Sequence, residues 1–231
     1  MAGAGASTGY PRGEGPSNKE LKLTKPGQLR SFAADLQCGA DVRTRVRRGS
    51  RVSLSSPTAK DVADLVDLAR VSRRFHRPWV YLSPGVKAWQ SYLKRVRKSG
   101  TIGYLVRHRH TGQLVGVVNL SEIVRGVFQS AYLSFYAHAA HAGQGLMSEG
   151  LRTVLGRAFG RHRLHRVEAN IQPQNRASRR LVRHLGFRLE GFSPRYLKIG
   201  GRWCDHERWA LTREAWQASR SGRRRTTRVR G

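Results

Sequence analysis

Apolar positions follow two rhythms between residues 50 and 216 and lose both outside that span. Val52–Leu54 is a short apolar run that reads as a strand. Ser56-Pro57 supplies an N-cap and a proline suited to the first helical position. Val62, Leu65, Val66 and Ala69 then recur at helical spacing, with Lys60, Asp61 and Asp64 off that face. Ser83-Pro84 opens a second helix that carries Val86, Trp89, Leu93 and Val96 inside. Next the period becomes two. Thr101–Arg107 and Gln113–Ser121 flank His110-Thr111-Gly112, a hairpin turn, and Val127–Ala137 continues the meander. From Gly145 to about Arg161 the helical rhythm returns, with Leu151, Val154, Leu155, Ala158 and Phe159 on one face. Arg166–Ile171 is a strand, and Asn175–Leu185 is a helix stopped by Gly186. Arg188–Phe192, Arg195–Ile199 and Arg208–Thr212 read as closing strands.

This order of strand, two helices, three-strand meander, helix, strand, helix and closing strands predicts an α/β sandwich built on one central sheet. No internal repeat is visible. Residues 1–49, rich in Gly, Ser, Pro and Thr and turning basic at Arg43–Arg51, read as a disordered or loosely docked extension. Residues 217–231 read as a flexible tail, because Arg220–Arg230 holds six arginines in eleven residues and almost nothing apolar.

Composition narrows the class. The 231 residues are 39% hydrophobic, enough for one ordinary core. No apolar run reaches the length of a membrane span. Met1–Ser17 lacks the basic-then-apolar pattern of a signal peptide, so the cytoplasm is the expected compartment. Cys38 and Cys204 are then expected as free thiols, and no Cys/His cluster has zinc spacing. Forty-four Lys plus Arg against fourteen Asp plus Glu leave a net charge of +30. That field favours a polyanionic partner such as nucleic acid or a ribosome; a merely solvated Arg-rich surface is the alternative.

Two stretches carry candidate chemistry. Ala142-Gly143-Gln144-Gly145-Leu146-Met147 follows a strand and opens a helix. Close glycines and a helix N-terminus can aim backbone N–H groups at a diphosphate, though an empty tight turn would have the same sequence. It is neither a Walker loop nor a Rossmann fingerprint, lacking both the Gly-Lys-Ser/Thr ending and the third glycine. Some thirty residues on, Asn175 and Ser178 lie one helical turn apart, followed by Leu185-Gly186-Phe187 and Glu190-Gly191. Alone, that pair could be an N-cap and a surface serine.

Together these stretches resemble the GCN5-related N-acetyltransferase (GNAT) superfamily. The likeness spans about residues 50–216 and is similar in particular to the ribosomal-protein-alanine N-acetyltransferases. It rests on His76-Arg77-Pro78-Trp79, Gly116–Leu120, Val124–Phe128, Gly145–Glu149, His165-Arg166-Val167, Leu185-Gly186-Phe187-x-x-Glu190-Gly191 and Gly201-x-Trp203-x-Asp205-His206. The resemblance implies a mixed sheet, an antiparallel meander plus a splayed parallel pair, flanked by helices. It implies acetyl-coenzyme A as co-substrate, with Tyr136, Ala137, the loop Ala142–Met147, Asn170, Asn175 and Ser178 around it. It places Asn119, Arg125 and Tyr196 near the acceptor channel, although Arg125 reads equally as a turn residue pairing with a nearby carboxylate. It departs from the pattern at Ala142, where relatives carry Gln or Arg, and at Met147, usually Gly or Ala.

Acyl transfer to an amine needs a neutral nucleophile, donors for the oxyanion and sometimes a proton for the departing thiolate. The resemblance puts the oxyanion donors on the backbone near Tyr136 and Ala137 and makes Ser178 the candidate partner of the sulfur. The slot of the usual base is Asn170, which can position water. Glu168, two residues earlier on the same strand face, is the candidate base, with Glu122, Glu149 and Asp205-His206 as further options. The implied acceptor is a protein N-terminus, ribosomal above all. A small-molecule amine, and a weakly active RNA-binding homologue, stay open. The sequence leaves the oligomeric state undecided.

Overall fold

A computed structural model describes residues 49–98 and 100–228, and from residue 221 onward the backbone alone. Expectations for residues 1–48, Cys38 included, lie outside the described residues. The elements run β1 (Val52–Ser55), α1 (Val62–Val71), α2 (Arg73–His76), α3 (Val86–Val96), β2 (Ile102–His108), β3 (Leu114–Val124) and β4 (Ser130–Ala137). They continue with α4 (Leu146–Phe159), β5 (Arg166–Ile171), α5 (Arg176–Leu185), β6 (Arg188–Ile199), β7 (Arg202–Thr212) and α6 (Arg213–Arg228).

Among the described residues the strands form one sheet in the order β1-β2-β3-β4-β5-β7-β6. Every neighbouring pair is antiparallel except β4–β5. That parallel pair joins only Ser130 to Arg166, Ala131 to Val167 and Tyr132 to Glu168. Past Tyr132 the two strands diverge, so the sheet opens into a wedge at its centre. The expected α/β sandwich, with its meander and splayed parallel pair, is the observed fold.

Each face of the sheet has its own core. Tyr104, Val106, Val118, Leu133, Val167 and Ala169 meet α4 and α5 through Leu151, Val154, Leu155 and Val182. Leu105, Leu114 and Val117 meet α1 and α3 through Leu65, Leu68, Trp89 and Leu93. A bulge sits where Val106 pairs with Gly116 but Arg107 pairs with Leu114. The extra residue shifts the alternation, so Val115 and Val117, two apart, face opposite cores. Just past the bulge, a Cβ on Gly116 would lie 2.5 Å from both Met147 Sδ and the Tyr136 carbonyl. Only glycine admits that approach of β3, β4 and α4, and it sets the upper edge of the wedge.

Several boundaries differ from the sequence expectations. The third meander strand starts at Ser130, not Val127, because Gly126 turns left-handed and Val127 and Phe128 stand exposed in the loop. The two strands expected at Arg188–Phe192 and Arg195–Ile199 are one bulged strand, β6. Its partner β7 begins at Arg202, six residues before the expected start, after a Gly200-Gly201 turn with both φ values positive. No element is expected after Thr212, yet the chain continues as α6. The boundary at residue 216 therefore falls inside a helix. Trp216 is 6% exposed there and lies 6.1 Å, ring to ring, from Phe159. One buried aromatic docks the first turn, a feature hidden by the arginines around it.

Candidate active site

The wedge between β4 and β5 opens into a cavity of about 770 Å³. Its walls come from both faces of the sheet. Leu133, Ala169 and Ile171 belong to the α4/α5 side. Tyr136 belongs to the α1/α3 side, and Asn170 alternates with Ala169 and so shares that side. The cavity is thus lined from both faces of the sheet.

The end nearest α4 has the geometry of an anion cradle. Gly143 and Gly145 both take φ of +77°, turning the chain from β4 into the helix. Gly145 is the N-cap and offers no side chain to the first-turn N–H groups of α4. Those orphan donors and the positive end of the helix dipole face outward together. A Cβ on Gly143 would meet nothing within 4 Å, so the cradle is open on that side. Arg51 braces the turn from outside: its guanidinium donates to Glu149 Oε1 and to the Gln144 carbonyl, the latter at 3.0 Å. Glu149, a candidate base in the sequence, is thereby committed to an ion pair.

The second helix begins in the same cavity. Asn175 Oδ1 accepts the Ser178 backbone N–H at 3.1 Å, which caps α5 and turns the Ser178 side chain to the cavity wall. Asn170 Oδ1 is buried without a hydrogen-bond partner among the described residues. A buried orphan acceptor of this kind is costly unless a ligand or water meets it. The left-handed cradle and this orphan carbonyl are the features that fit a long phosphorylated co-substrate carrying amide groups.

The sequence-predicted residues separate into two groups. Tyr136, Ala137, Ala142, Gly143, Gly145, Met147, Asn170, Asn175 and Ser178 all line the cavity. Gln144 is exposed at the back of the turn, where its amide donates to the Ala140 carbonyl, and Leu146 is buried in the core. Glu168 does not reach the cavity; it pairs with Arg166 at 2.8 Å, and Arg166 also holds Glu190. Asn119 is buried between Tyr92, whose hydroxyl donates to it at 2.8 Å, and Ser134, which accepts its amide. Arg125 donates to the His162 carbonyl, a structural contact away from the cavity. Tyr196 stands beside the cavity wall, 6.2 Å from the His206 ring.

Other wall residues were not assigned to the site from sequence, although the His76-Arg77-Pro78-Trp79 and Asp205-His206 stretches marked two of their segments. Phe75, His76 and Trp79 come from α2 and the turn after it, and Gln172 closes that rim by donating to the Trp79 carbonyl at 3.2 Å. Burial holds His76 below the ordinary imidazole range, with His138 adding to the effect and the Ala137 backbone opposing it. Leu197, Ile199 and His206 come from the β6–β7 hairpin. The Asp205-His206 dipeptide was the visible hint, but its members act apart. Asp205 Oδ1 accepts the Arg195 N–H at 2.7 Å and pins the β6 bulge, whereas His206 turns to the cavity. Among the described residues the wall contains no aspartate or glutamate, and Arg180 is its one guanidinium.

Comparison with known proteins agrees with this geometry. Residues 51–188 match the family model described as an acetyltransferase (GNAT) domain. The chain is 35% identical over 120 residues to the Bacillus subtilis (strain 168) protein named Probable N-acetyltransferase YjcK, covering 52% of this chain and 66% of that one. It is 32% identical over 169 residues to the [ribosomal protein uS5]-alanine N-acetyltransferase of Escherichia coli (strain K12), covering 70% and 87%. Among solved structures, Mycobacterium smegmatis RimJ in complex with CoA-disulfide superposes with a TM-score of 0.66 at 26% identity, covering 74% and 90%. A spermidine N-acetyltransferase from Vibrio cholerae, in complex with CoA and spermine, shares the fold with a TM-score of 0.64 at 19% identity, covering 73% and 99%.

Proposed function

The chain belongs to the GNAT acetyltransferase family, and from that premise we propose that it moves an acetyl group from acetyl-coenzyme A to the α-amine of a protein N-terminus. The observation that carries the choice of acceptor is the cavity wall, which among the described residues has no carboxylate. A polyamine enters as several ammonium groups, and burying those against Arg180 and histidines without a counter-charge is costly. A peptide α-amine has a pKa near 8, so a fair fraction is neutral at physiological pH and needs no acidic cleft. The similarity to a ribosomal-protein alanine acetyltransferase supports the same choice, and small apolar first residues suit walls made of Phe75, Trp79, Val80 and Leu197. With a net charge of +30, the chain suits acceptors displayed on a ribosome.

In this reading the Gly143–Gly145 turn and the first turn of α4 hold the diphosphate through backbone N–H groups. Because those donors are main-chain, Ala142 costs the site one side-chain contact and leaves the cradle. When bound, the co-substrate supplies the activated acetyl group. Backbone N–H groups of β4 near Tyr136 and Ala137, on the edge that β5 leaves unpaired, face the carbonyl oxygen as charge develops on it. The Ser178 hydroxyl faces the sulfur. The wall on the α1/α3 side orients the amine. Much of the acceleration comes from holding both reactants in one channel.

The test pairs a thermal shift with acetyl-coenzyme A and a thiol-release assay offered alanine- and serine-initiated peptides and spermidine in parallel. Stabilisation by the co-substrate and turnover of peptides above spermidine are expected. Preferential turnover of spermidine would reverse the acceptor assignment. No stabilisation by acetyl-coenzyme A would favour a ribosome-binding homologue without transferase activity.

A further inference from the structure

Resting on the acetyl-transfer reading above, we propose that His206 is the general base that takes the proton from the attacking amine.

Its place in the fold is the first argument. Glu207 pairs with Ile171, the last residue of β5, so His206 lies just beyond the point where β5 ends. Even-numbered residues of β7 face away from the α4/α5 core that holds Trp209 and Leu211. His206 therefore shares the α1/α3 side with Asn170 and Tyr136 and lines the cavity there, across the wedge from the glycine turn. An amine entering from that side would find His206 in the cavity wall.

Hydrogen bonding then selects the nitrogen. Nδ1 lies 2.9 Å from the Cys204 carbonyl oxygen. A carbonyl only accepts, so Nδ1 carries the hydrogen and Nε2 keeps its lone pair. Burial is the largest influence on the ring and holds it below the ordinary imidazole range, against the Cys204 carbonyl and the Asp205 charge, which act the other way. The charged and titratable groups around it are Asp205 on β7, Tyr196 on β6, Tyr136 on β4, Arg180 on α5, and His76 and His141 across the cavity. A ring held neutral with its basic nitrogen fixed is prepared to accept a proton at neutral pH.

Competing carboxylates are committed elsewhere or, like Glu122, exposed on β3 and outside the cavity wall. Glu149 is paired with Arg51, Glu168 with Arg166, and Glu207 with Arg179 and the Trp209 indole. Asp205 holds the Arg195 N–H. His141 stands at the glycine turn, the α4 end of the cavity, and His76 belongs to α2 beneath the Phe75–Trp79 rim, where only a loose approach to the Ala137 backbone orients its ring.

The proton count balances. As the amine lone pair forms the C–N bond, the proton that nitrogen sheds passes to His206 Nε2. The C–S bond breaks with its electron pair on sulfur, which takes a proton from water or through the Ser178 hydroxyl. The imidazolium returns its proton to water.

The test is His206→Asn, which keeps a donor for the Cys204 carbonyl and removes Nε2, with His206→Gln as a second variant should Asn fold poorly. Both are compared with the parent on peptide and spermidine. The expected result is a fall of about 100-fold in kcat, an unchanged KM for acetyl-coenzyme A, and an acid limb of log kcat/KM that loses one of its two ionisations and keeps that of the amine. In the ligand-free protein, ¹⁵N–¹H imidazole spectra should show His206 as the Nδ1–H tautomer with a titration midpoint below that of an exposed histidine. Parent-like kcat in a folded variant, with whichever amine the parent accepts, or an Nε2–H tautomer, overturns the base. Parent turnover of spermidine alone overturns only the acceptor reading, and turnover of no amine overturns both.

Discussion

Arg51, at the foot of β1, and Glu149, in the first turn of α4, are 98 residues apart in sequence and 2.7 Å apart at Nε and Oε1. The Arg51 backbone N–H also donates to Glu149 Oε2 at 3.1 Å, and its guanidinium reaches the Gln144 carbonyl. This clasp fixes the glycine turn from its outer side. Both side chains are partly exposed, which limits its worth. Arg51→Ala should weaken acetyl-coenzyme A about 3- to 10-fold by calorimetry and leave kcat at saturation close to the parent's.

Gly143 offers a sharper probe of the cradle than Gly145. An added side chain at Gly145 would start 3.4 Å from the Arg51 guanidinium, which would neutralise an acid there, whereas Gly143 faces open space. Aspartate tolerates the left-handed backbone better than most residues, so Gly143→Asp adds mainly a negative charge. Repulsion of a diphosphate should lower co-substrate affinity by on the order of 2 kcal/mol in a folded protein. Calorimetry showing parent affinity would remove the anion assignment of this turn.

Ser178→Ala removes the hydroxyl and retains the backbone N–H that Asn175 caps. Turnover should fall roughly 10-fold with co-substrate affinity unchanged, if the hydroxyl meets sulfur only as the thiolate forms. A loss confined to binding would make Ser178 a co-substrate contact. Asn175→Ala tests a different quantity, costing about 1 kcal/mol of folding stability through the lost cap.

His162 gives a pH signature to the fold. Burial first, then Arg161, Arg125 and Arg157, push it down to about 4 from an ordinary 6.5, and it lies 2.6 Å from the Tyr104 hydroxyl. Between those two values the unfolded chain binds the proton and the folded chain does not, so stability rises with pH across that window. It is fully present above about 6.5 and falls by on the order of 2 kcal/mol, with solvent screening of its exposed edge discounted, as pH drops through 4. Urea denaturation at pH 7.5 and 5 should show the loss, and His162→Gln should flatten it. An equal pH dependence in the variant would exclude His162 as its source.

The C-terminal helix divides into a docking part and a charged part. Trp216→Ala should cost about 3 kcal/mol of stability. Removing residues 221–231 should leave peptide turnover and the thermal midpoint nearly unchanged. It should weaken ribosome co-sedimentation and flatten its salt dependence, because Arg223, Arg224, Arg225, Arg228 and Arg230 go with the segment. Equal ribosome binding by both chains at every salt concentration would reduce the arginine run to a solvated surface.

What local sequence conveys here is the pattern within each element. Val62, Leu65 and Ala69, or Leu151, Val154 and Leu155, announce their helices because one buried face imposes its period. The Gly143–Gly145 turn and the Asn175 cap are equally visible, since each needs particular residues at consecutive positions. Long-range pairing is not visible in this way. Glu168 looked available until Arg166 took it, and Asp205 and His206 looked like a dyad until adjacent strand positions sent them to opposite partners. The fusion of two short strands into β6 depends on a bulge fastened by Asp205, a contact ten residues away in sequence. α6 escaped notice because Trp216 is its one large apolar side chain among the described residues, and the Arg213 bonds to the Arg163 and Leu164 carbonyls leave no mark in sequence.

The three residue pairs between β4 and β5 have a mechanical meaning as well. Each half of the sheet is laced tightly within itself, and the halves meet at a short seam that ends at Tyr132. Beyond it, alternate backbone groups on the facing edges lack a ladder partner. In the proposed reaction a substrate threaded through the seam would supply the missing rungs and act as a structural strut as well. Substrate occupancy and the cohesion of the two halves would then rise and fall together, at the seam that has the fewest paired residues in the sheet.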